Sequence, residues 1–384
     1  MNTKKHTIYL DYQSTTPLDP EVLIKMQPYM TEFFGNPHSL EHKIGWDAQE
    51  AVEYSQHVIS QFLNCLPDEV YFTSGATESN NLLILGLASK ALEKKLSRKK
   101  ILISSIEHKS ILGPAKFLEN SGFIVNKIPV LENGIIDIDQ FSCLLSDDVL
   151  LVSIMTTNNE IGTNQPIKKI GELCKKNNIL FHTDASQGIY TNLDIIENNI
   201  DFLSLSGHKL YGPKGIGILF INNNAGLQPK PLFYGGEQQN AIRPGTIPPF
   251  LTIGIAESIK KLISIKENEI LKLQQQRELL LEGLKSYCNT IEINGTINNR
   301  HPGNLNLLIP TIESKRLIYI LQPLVAISTG SACTSGEIEP SHVLQALGLS
   351  NSDIDHSLRI SIGRFTRDAE IEKAIEFIGK KIKQ

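Results

Sequence analysis

The feature that most constrains the fold of this chain is a unit that recurs between residues 69 and 221. A short apolar run stops at a cluster of small and polar residues, and after the runs at 69–73 and 149–155 a helical segment follows. Residues 69–73 run into Ser74-Gly75-Ala76-Thr77, and residues 101–105 stop at Glu107-His108-Lys109. Residues 149–155 lead to Asn158-Asn159-Glu160-Ile161-Gly162, and 179–183 to Asp184-Ala185-Ser186-Gln187. Residues 202–206 end at Gly207-His208-Lys209, and two further runs cover 123–130 and 217–221, the last placed to pair beside 202–206. Short apolar runs bounded by turn signals suit buried strands. Their alternation with helical segments predicts an α/β fold with a mostly parallel sheet. Ligands of such sheets bind outside the carboxyl ends of the strands, so the polar clusters are expected to converge on one site.

The flanking segments read in the same way. Residues 8–12 form a short strand, and Thr15-Thr16-Pro17 and Asp19-Pro20 mark a turn and a helix start. Residues 46–63 carry Ala51, Val58, Ile59 and Phe62 at helical spacing, and helices are also expected around Leu82, Leu83, Leu85 and Leu87 and around Ile167, Ile170 and Leu173. Residues 256–282 lack Gly and Pro and carry an apolar stripe from Ile259 to Leu284, which predicts a long helix leaving one domain and starting another. A last helix is expected over 370–382. A chain of 384 residues exceeds one simple core. The expected division is a large domain over 18–262 and a smaller α+β domain built from 1–17 and 263–384.

A net charge of -4 gives no electrostatic reason for direct nucleic-acid or membrane binding. No apolar run approaches 18 residues, and no apolar h-region follows the N-terminal lysines, so a cytoplasmic protein is expected. Five cysteines are widely spaced with no CxxC pair, which disfavours a zinc site or a disulfide framework. Cys65, Cys143, Cys174 and Cys288 lie in or beside apolar stretches and are expected to be inert. Cys333 lies in Gly330-Ser331-Ala332-Cys333-Thr334-Ser335-Gly336, where every neighbour is small. Such a segment buries no apolar face and is expected to be an exposed, mobile loop. A cysteine there suits the carriage of reactive sulfur.

The strand ends supply a second set of candidates. Lys209 follows a buried strand, and desolvation would make its amine a nucleophile; alone, it also reads as a surface-loop lysine. Asp184 ends an apolar strand, and a buried carboxylate needs a cationic partner. A Schiff-base lysine, an Asp facing a pyridine nitrogen and a phosphate cup at a helix N-terminus together form the recognition pattern for pyridoxal phosphate. Ala76 and Thr77 mark such a helix start, although Ser74 or Thr77 also reads as a plain N-cap. Ser206 and His208 add donors for a phosphate. His108 can stack on a flat ring, and Asn159 and Gln187 can donate to its hydroxyl. Arg359, flanked by Leu358 and Ile360, needs an anion: a substrate carboxylate, or an internal salt-bridge partner.

These segments, taken in order with Arg243-Pro244-Gly245-Thr246 and Gly330-Ser331-Ala332-Cys333-Thr334-Ser335, resemble the NifS/IscS-type cysteine desulfurases. Those enzymes belong to the class-V aminotransferases and to fold type I of the pyridoxal-phosphate enzymes. The resemblance runs from Tyr9-Leu10-Asp11-Tyr12 to Gly363-Arg364-Phe365-Thr366. It implies a homodimer that converts L-cysteine to L-alanine. Lys209 would carry pyridoxal 5'-phosphate and move protons, Asp184 would pair with the ring nitrogen, and His108 would stack on the ring. Asn159 and Gln187 would contact the ring oxygen or the substrate. Ala76, Thr77, Ser206 and His208 would hold the phosphate, with Thr246 reaching in from a second subunit, and Arg359 would bind the substrate carboxylate. Cys333 would become a persulfide and pass sulfur to an acceptor protein, an iron–sulfur scaffold or a tRNA-thiolation enzyme. No metal is implied in the active site, although Cys333 would ligate a cluster transiently during transfer. A selenocysteine lyase or cysteine sulfinate desulfinase shares the scaffold, and a non-enzymatic persulfide relay is the alternative outside catalysis.

Residues 236–241 hold fewer glycines than the family's usual Gly-rich run, and Gly303 stands where an Asn is common. The chain ends soon after Lys381, without the longer tail by which the IscS group helps bind a scaffold, which implies another acceptor or docking surface.

Overall fold

The computed structural model describes residues 7–330 and 340–383. Among these the strands are, in chain order, β1 (Ile8–Tyr9), β2 (Val70–Thr73), β3 (Lys100–Ser104), β4 (Ile124–Ile128), β5 (Val149–Ser153), β6 (Leu180–Asp184), β7 (Phe202–Ser206), β8 (Gly217–Ile221), β9 (Glu292–Ile293), β10 (Asn304–Leu308), β11 (Val325–Ala326) and β12 (Ser357–Ser361). The central sheet has the order β2-β8-β7-β6-β5-β3-β4. Strands β3 to β7 run parallel, and β8 runs antiparallel between β2 and β7. The expected pairing of residues 217–221 beside 202–206 is present, with Ser206 opposite Gly217.

Several strands stop short of their apolar runs, for local reasons. The first ends at Tyr9, and Asp11 makes only an isolated bridge to Ser361. Strand β5 ends at Ser153, and Met155 then gives its N–H to Oε1 of Glu107 at 2.7 Å rather than to a ladder.

Side chains alternate across the sheet. Leu102, Val152, Phe181 and Leu203 pack on one face with Ile59, Leu63, Ile170 and Ile255. Ile101, Ile103, Leu151 and Phe202 pack on the other with Leu83, Leu87, Ile111 and Leu118. Helices therefore cover both faces, as a buried parallel sheet requires.

The long helix is longer than the Gly- and Pro-free stretch, running over Pro249–Tyr287. Proline is at ease in a first turn, where its missing N–H has no intrahelical partner. Gly254 is needed by packing, because a Cβ there would meet Cγ of Pro213 at 2.7 Å and Sδ of Met26 at 2.8 Å. Ile255, Ile259 and Leu262 of this helix join the first core. Leu273, Leu280 and Leu284 join a second core with Ile8, Leu10, Leu305, Leu307, Leu358, Ile360 and Ile378. That second core includes the sheet β12-β10-β9 and the pair β1-β11.

Arg364 ties segments that are distant in sequence. Its Nη1 donates to Asp19 Oδ2 at 2.8 Å, its Nε to Glu269 Oε1 at 2.9 Å, and its guanidinium lies 4.1 Å from the Tyr211 ring centre. All three charged side chains are at most 8% exposed. Arg364→Ala strands two buried carboxylates, and a loss of about 3–5 kcal/mol is expected, measured as a lower urea midpoint.

The outer edge of β2 is closed by side chains. Gln239 accepts from Phe72 N at 2.6 Å and donates to Phe72 O at 3.0 Å, while Gln56 Nε2 donates to Val70 O at 3.1 Å. Gln239, Asn240 and Ala241 hold φ values of 51°, 56° and 55°, a left-handed run made without glycine.

Candidate active site

The site is assembled where the parallel strands end. Strand β7 stops at Ser206 and tightens into a 3-10 turn over Gly207–Lys209. A side chain at residue 207 has no room, since a Cβ would lie 2.7 Å from the Pro213 carbonyl oxygen. The turn delivers Lys209 to the N-terminal segment, where its Nζ donates to the carbonyls of Gln13 at 2.5 Å and Ser14 at 2.7 Å. Gln187 Nε2 donates to the same Gln13 oxygen at 2.9 Å.

Strand β6 ends on Asp184, which is 5% exposed. Its carboxylate accepts from Asn80 Nδ2 at 2.8 Å and from Ser186 N at 2.9 Å, both neutral donors. Asn80 is held in turn against Ser110 Oγ at 2.8 Å. Among the described residues Asp184 makes no ion pair. On the same strand His182 sits between Ser153 Oγ at 2.8 Å and Ser204 Oγ at 3.1 Å. Burial lowers its pKa to about 4, so it is a neutral strut.

Strand β2 turns at Gly75, with φ 153°, into the helix Ala76–Glu93. No side chain of the described residues caps this helix, so the plain N-cap reading of Ser74 or Thr77 does not hold; Ser74 instead gives its N–H to Glu78 at 2.6 Å. Gly217 lets β8 approach this turn, because a Cβ there would meet the Gly75 carbonyl carbon at 2.5 Å. The helix start faces a cavity shared with Ser206 and His208. Burial, then Lys209 and Lys214, lower the His208 pKa to about 4, and its Nδ1 lies 3.0 Å from Thr15 Oγ1.

His108 caps the helix Lys109–Glu119, its Nδ1 accepting from Ser110 N at 3.1 Å. Burial depresses its pKa, so the ring stays neutral. Arg359 has the internal salt-bridge partner that one of its two readings requires. Its Nη2 donates to Asp11 Oδ1 at 2.6 Å and Ser328 Oγ at 2.9 Å, and its Nη1 donates to Asn159 O at 2.7 Å. Its Nε is buried without an acceptor among the described residues, and the residue lines the cavity.

That cavity holds about 520 Å³ and is lined by Lys209, His108, Ala76, Thr77, Asn159, Asp184, Gln187, Ser206, His208 and Arg359. Thr246 is exposed and does not line it. Cys333 lies outside the described residues, and Gly330, shortly before it, does line the cavity. Gln13 and Ser14, which the sequence reading left unassigned, and Thr15, read there only as part of a turn, form part of the wall. Asn80 and Ser110 went unassigned, and Glu107 behind the wall is wholly buried with its pKa raised by that burial. A buried polar residue inside an apolar helix was the available signal for Asn80.

Cys143 is exposed on the helix Ile138–Leu144, whose apolar anchor Phe141 faces inward. Two helical positions rotate a side chain by about 200°, which turns Cys143 to the outside. Cys174 and Cys288 are buried, and burial pushes the half-buried Cys65 thiol up to about 12. Among the described residues no cluster of His, Cys, Asp and Glu could hold a metal, and no helix is long and apolar enough to cross a membrane.

The pattern of the aminotransferase class-V family matches residues 8–374. A cysteine desulfurase IscS of Rickettsia prowazekii is 41% identical over 376 residues, covering 98% of this chain and 91% of that one. The chain belongs to the cysteine desulfurase group of the class-V aminotransferases. A probable mitochondrial cysteine desulfurase of Dictyostelium discoideum is 41% identical over 382 residues, covering 99% of this chain and 84% of that one. A solved NifS-like protein superposes with a TM-score of 0.89 at 30% identity, covering 98% of each chain. A structure of SspA in complex with cysteine superposes with a TM-score of 0.78 at 33% identity, covering 94% of this chain and 99% of that one. The architecture is therefore the fold type I arrangement of pyridoxal-phosphate enzymes, and this family is pyridoxal-phosphate-dependent in general.

Proposed function

We propose that this class-V aminotransferase relative binds pyridoxal 5'-phosphate at the sheet's carboxyl edge and converts L-cysteine to L-alanine, leaving sulfur as a persulfide on Cys333. The observation that carries the reading is Asp184: a buried carboxylate, bonded by neutral donors and outside any ion pair of the described residues, in the same cavity as Lys209. A buried anion of this kind calls for a cation, and a protonated pyridine nitrogen is one.

The remaining residues fit the same group. The start of helix Ala76–Glu93, with Ser206 and His208, suits a phosphate. The neutral His108 ring suits a flat ring, and Asn159 and Gln187 suit its oxygen or the substrate. When bound, pyridoxal phosphate supplies an electron sink that weakens bonds of the amino acid.

The chain's own groups do the rest. Asp184 holds a proton at the ring nitrogen, and Arg359 offers Nε to the substrate carboxylate. Lys209 holds the cofactor and carries protons to and from the substrate carbons. The Cys333 thiolate attacks the substrate sulfur. The C–S bond breaks, its electron pair stays with carbon, and a proton from Lys209 completes alanine.

A homodimer accounts for Thr246, which is exposed and away from its own chain's cavity. We read the chain as a cytoplasmic enzyme with a large domain over 18–262 and a small one formed by 1–17 and 263–384. Its acceptor would be a protein of iron–sulfur assembly or tRNA thiolation.

The purified protein, incubated with cysteine and a reductant, should release alanine and sulfide in equal amounts. Mass spectrometry should show one added sulfur at Cys333, and alanine formation without that sulfur would sink the proposal. Asp184→Asn removes the anion but keeps the shape, and kcat/KM is expected to fall roughly a hundredfold.

A further inference from the structure

Three of the side chains lining the cavity carry a buried polar atom with no partner among the described residues: Arg359 through Nε, Ser186 through Oγ and Gln13 through Nε2. Gln13 is 2% exposed. An amide in that position could present either its oxygen or its nitrogen to the cavity, and the surrounding bonds decide which. We propose that Gln13 is a substrate-binding residue that donates from Nε2 to the amino-acid substrate, and that buried Arg300 fixes this orientation through Asn304. The inference rests on the reading of this cavity as an amino-acid site.

The chain of bonds runs as follows. Arg300 is 5% exposed and forms no ion pair with a carboxylate of the described residues. Its Nη2 donates to Ile161 O and to Asn304 Oδ1, each at 2.6 Å. A guanidinium has only donors, so the Asn304 oxygen must face Arg300 and its nitrogen must face away. That nitrogen donates to Glu160 O at 3.1 Å and to Oε1 of Gln13. Gln13 thus has its oxygen occupied, and Nε2 is the branch left over. Each amide in the relay has one permitted orientation, set by a cation that cannot accept. The backbone of Gln13 is held as well, its N–H donating to Ser361 Oγ at 3.0 Å. The donor is therefore oriented before substrate arrives, which lowers the ordering cost of binding.

The chemistry recognised is an acceptor with negative charge, which in an amino acid is the carboxylate. Arg359 Nε and Gln13 Nε2 would then share one anion.

The test uses the holoenzyme and L-alanine, the non-reacting product, as the calorimetric probe. Gln13→Glu keeps an oxygen facing Asn304 and places a second oxygen where the donor was. Alanine affinity is expected to fall roughly a hundredfold, and KM for cysteine to rise with kcat changed little. Gln13→Ala should lose about tenfold. Asn304→Asp keeps the Arg300 contact but needs a donor from Gln13, which turns the glutamine oxygen toward the cavity. It should weaken alanine binding as Gln13→Ala does, and adding Gln13→Ala should then cost nothing more. Wild-type alanine affinity in both Gln13 variants overturns the role of Gln13, and wild-type affinity in Asn304→Asp overturns the relay. A wild-type protein that takes up pyridoxal phosphate yet binds neither cysteine nor alanine overturns the amino-acid reading itself.

Discussion

Lys209→Ala should yield a colourless protein that neither forms alanine nor recovers on addition of pyridoxal phosphate. Two functions are expected to fall together, because the proposed reading gives one amine both the cofactor and the proton transfers. Proton transfer alone contributes roughly 10²–10⁴-fold, so turnover should drop by about 10⁴ or more. The geometry argues against a neighbour taking over. His208, the adjacent base, is turned toward Thr15, its Nδ1 3.0 Å from Thr15 Oγ1. The variant should still fold, although it loses the bonds from Lys209 Nζ to the Gln13 and Ser14 carbonyls. Thr16 still fastens that segment to the His208 carbonyl through its N–H at 3.0 Å and its hydroxyl at 2.9 Å. The measurement is the visible spectrum together with alanine release. A coloured Lys209→Ala protein with wild-type turnover would refute the assignment.

Cys333→Ser separates the two halves of the reaction. The cofactor colour should remain, because every candidate cofactor contact lies elsewhere. Sulfide release should fall by about 10³-fold or more, since a hydroxyl does not replace a thiolate as a nucleophile toward sulfur. The other cysteines offer no substitute. Cys174 and Cys288 are buried, and burial raises the Cys65 thiol out of the reactive range. Cys143 is exposed, but it does not line the cavity. Cys143→Ser is the control and should behave as wild type. Persulfide found on Cys143 instead of Cys333 would overturn the assignment.

The parallel sheet and the convergence of its strand ends were legible because both rest on local pattern. Apolar runs of strand length and polar stops are written contiguously, so the sequence alone places Asp184 and Lys209 on one edge. What stayed hidden depends on contacts between distant segments. Gln13 and Ser14 carry no signal of their own until β7 brings Lys209 to their carbonyls. The Arg300–Asn304–Gln13 relay joins residues that share no motif, so no spacing announces it. The left-handed run at Gln239–Ala241 is made without the glycines in which residues 236–241 are poor. It is sustained by side-chain bonds to Phe72 that sequence does not display.

Those same bonds bear on how the molecule behaves in a crowded solution. Strand β2 ends the sheet, and its outward N–H and C=O groups would otherwise offer a template on which a strand of another molecule could grow. Gln56 occupies the carbonyl of Val70, and Gln239 occupies both groups of Phe72. The two glutamines imitate the missing neighbour strand while adding no chain that could be exchanged between molecules. The sheet is thereby finished at this edge, and association is left to surfaces whose side chains, rather than whose backbone, choose the partner.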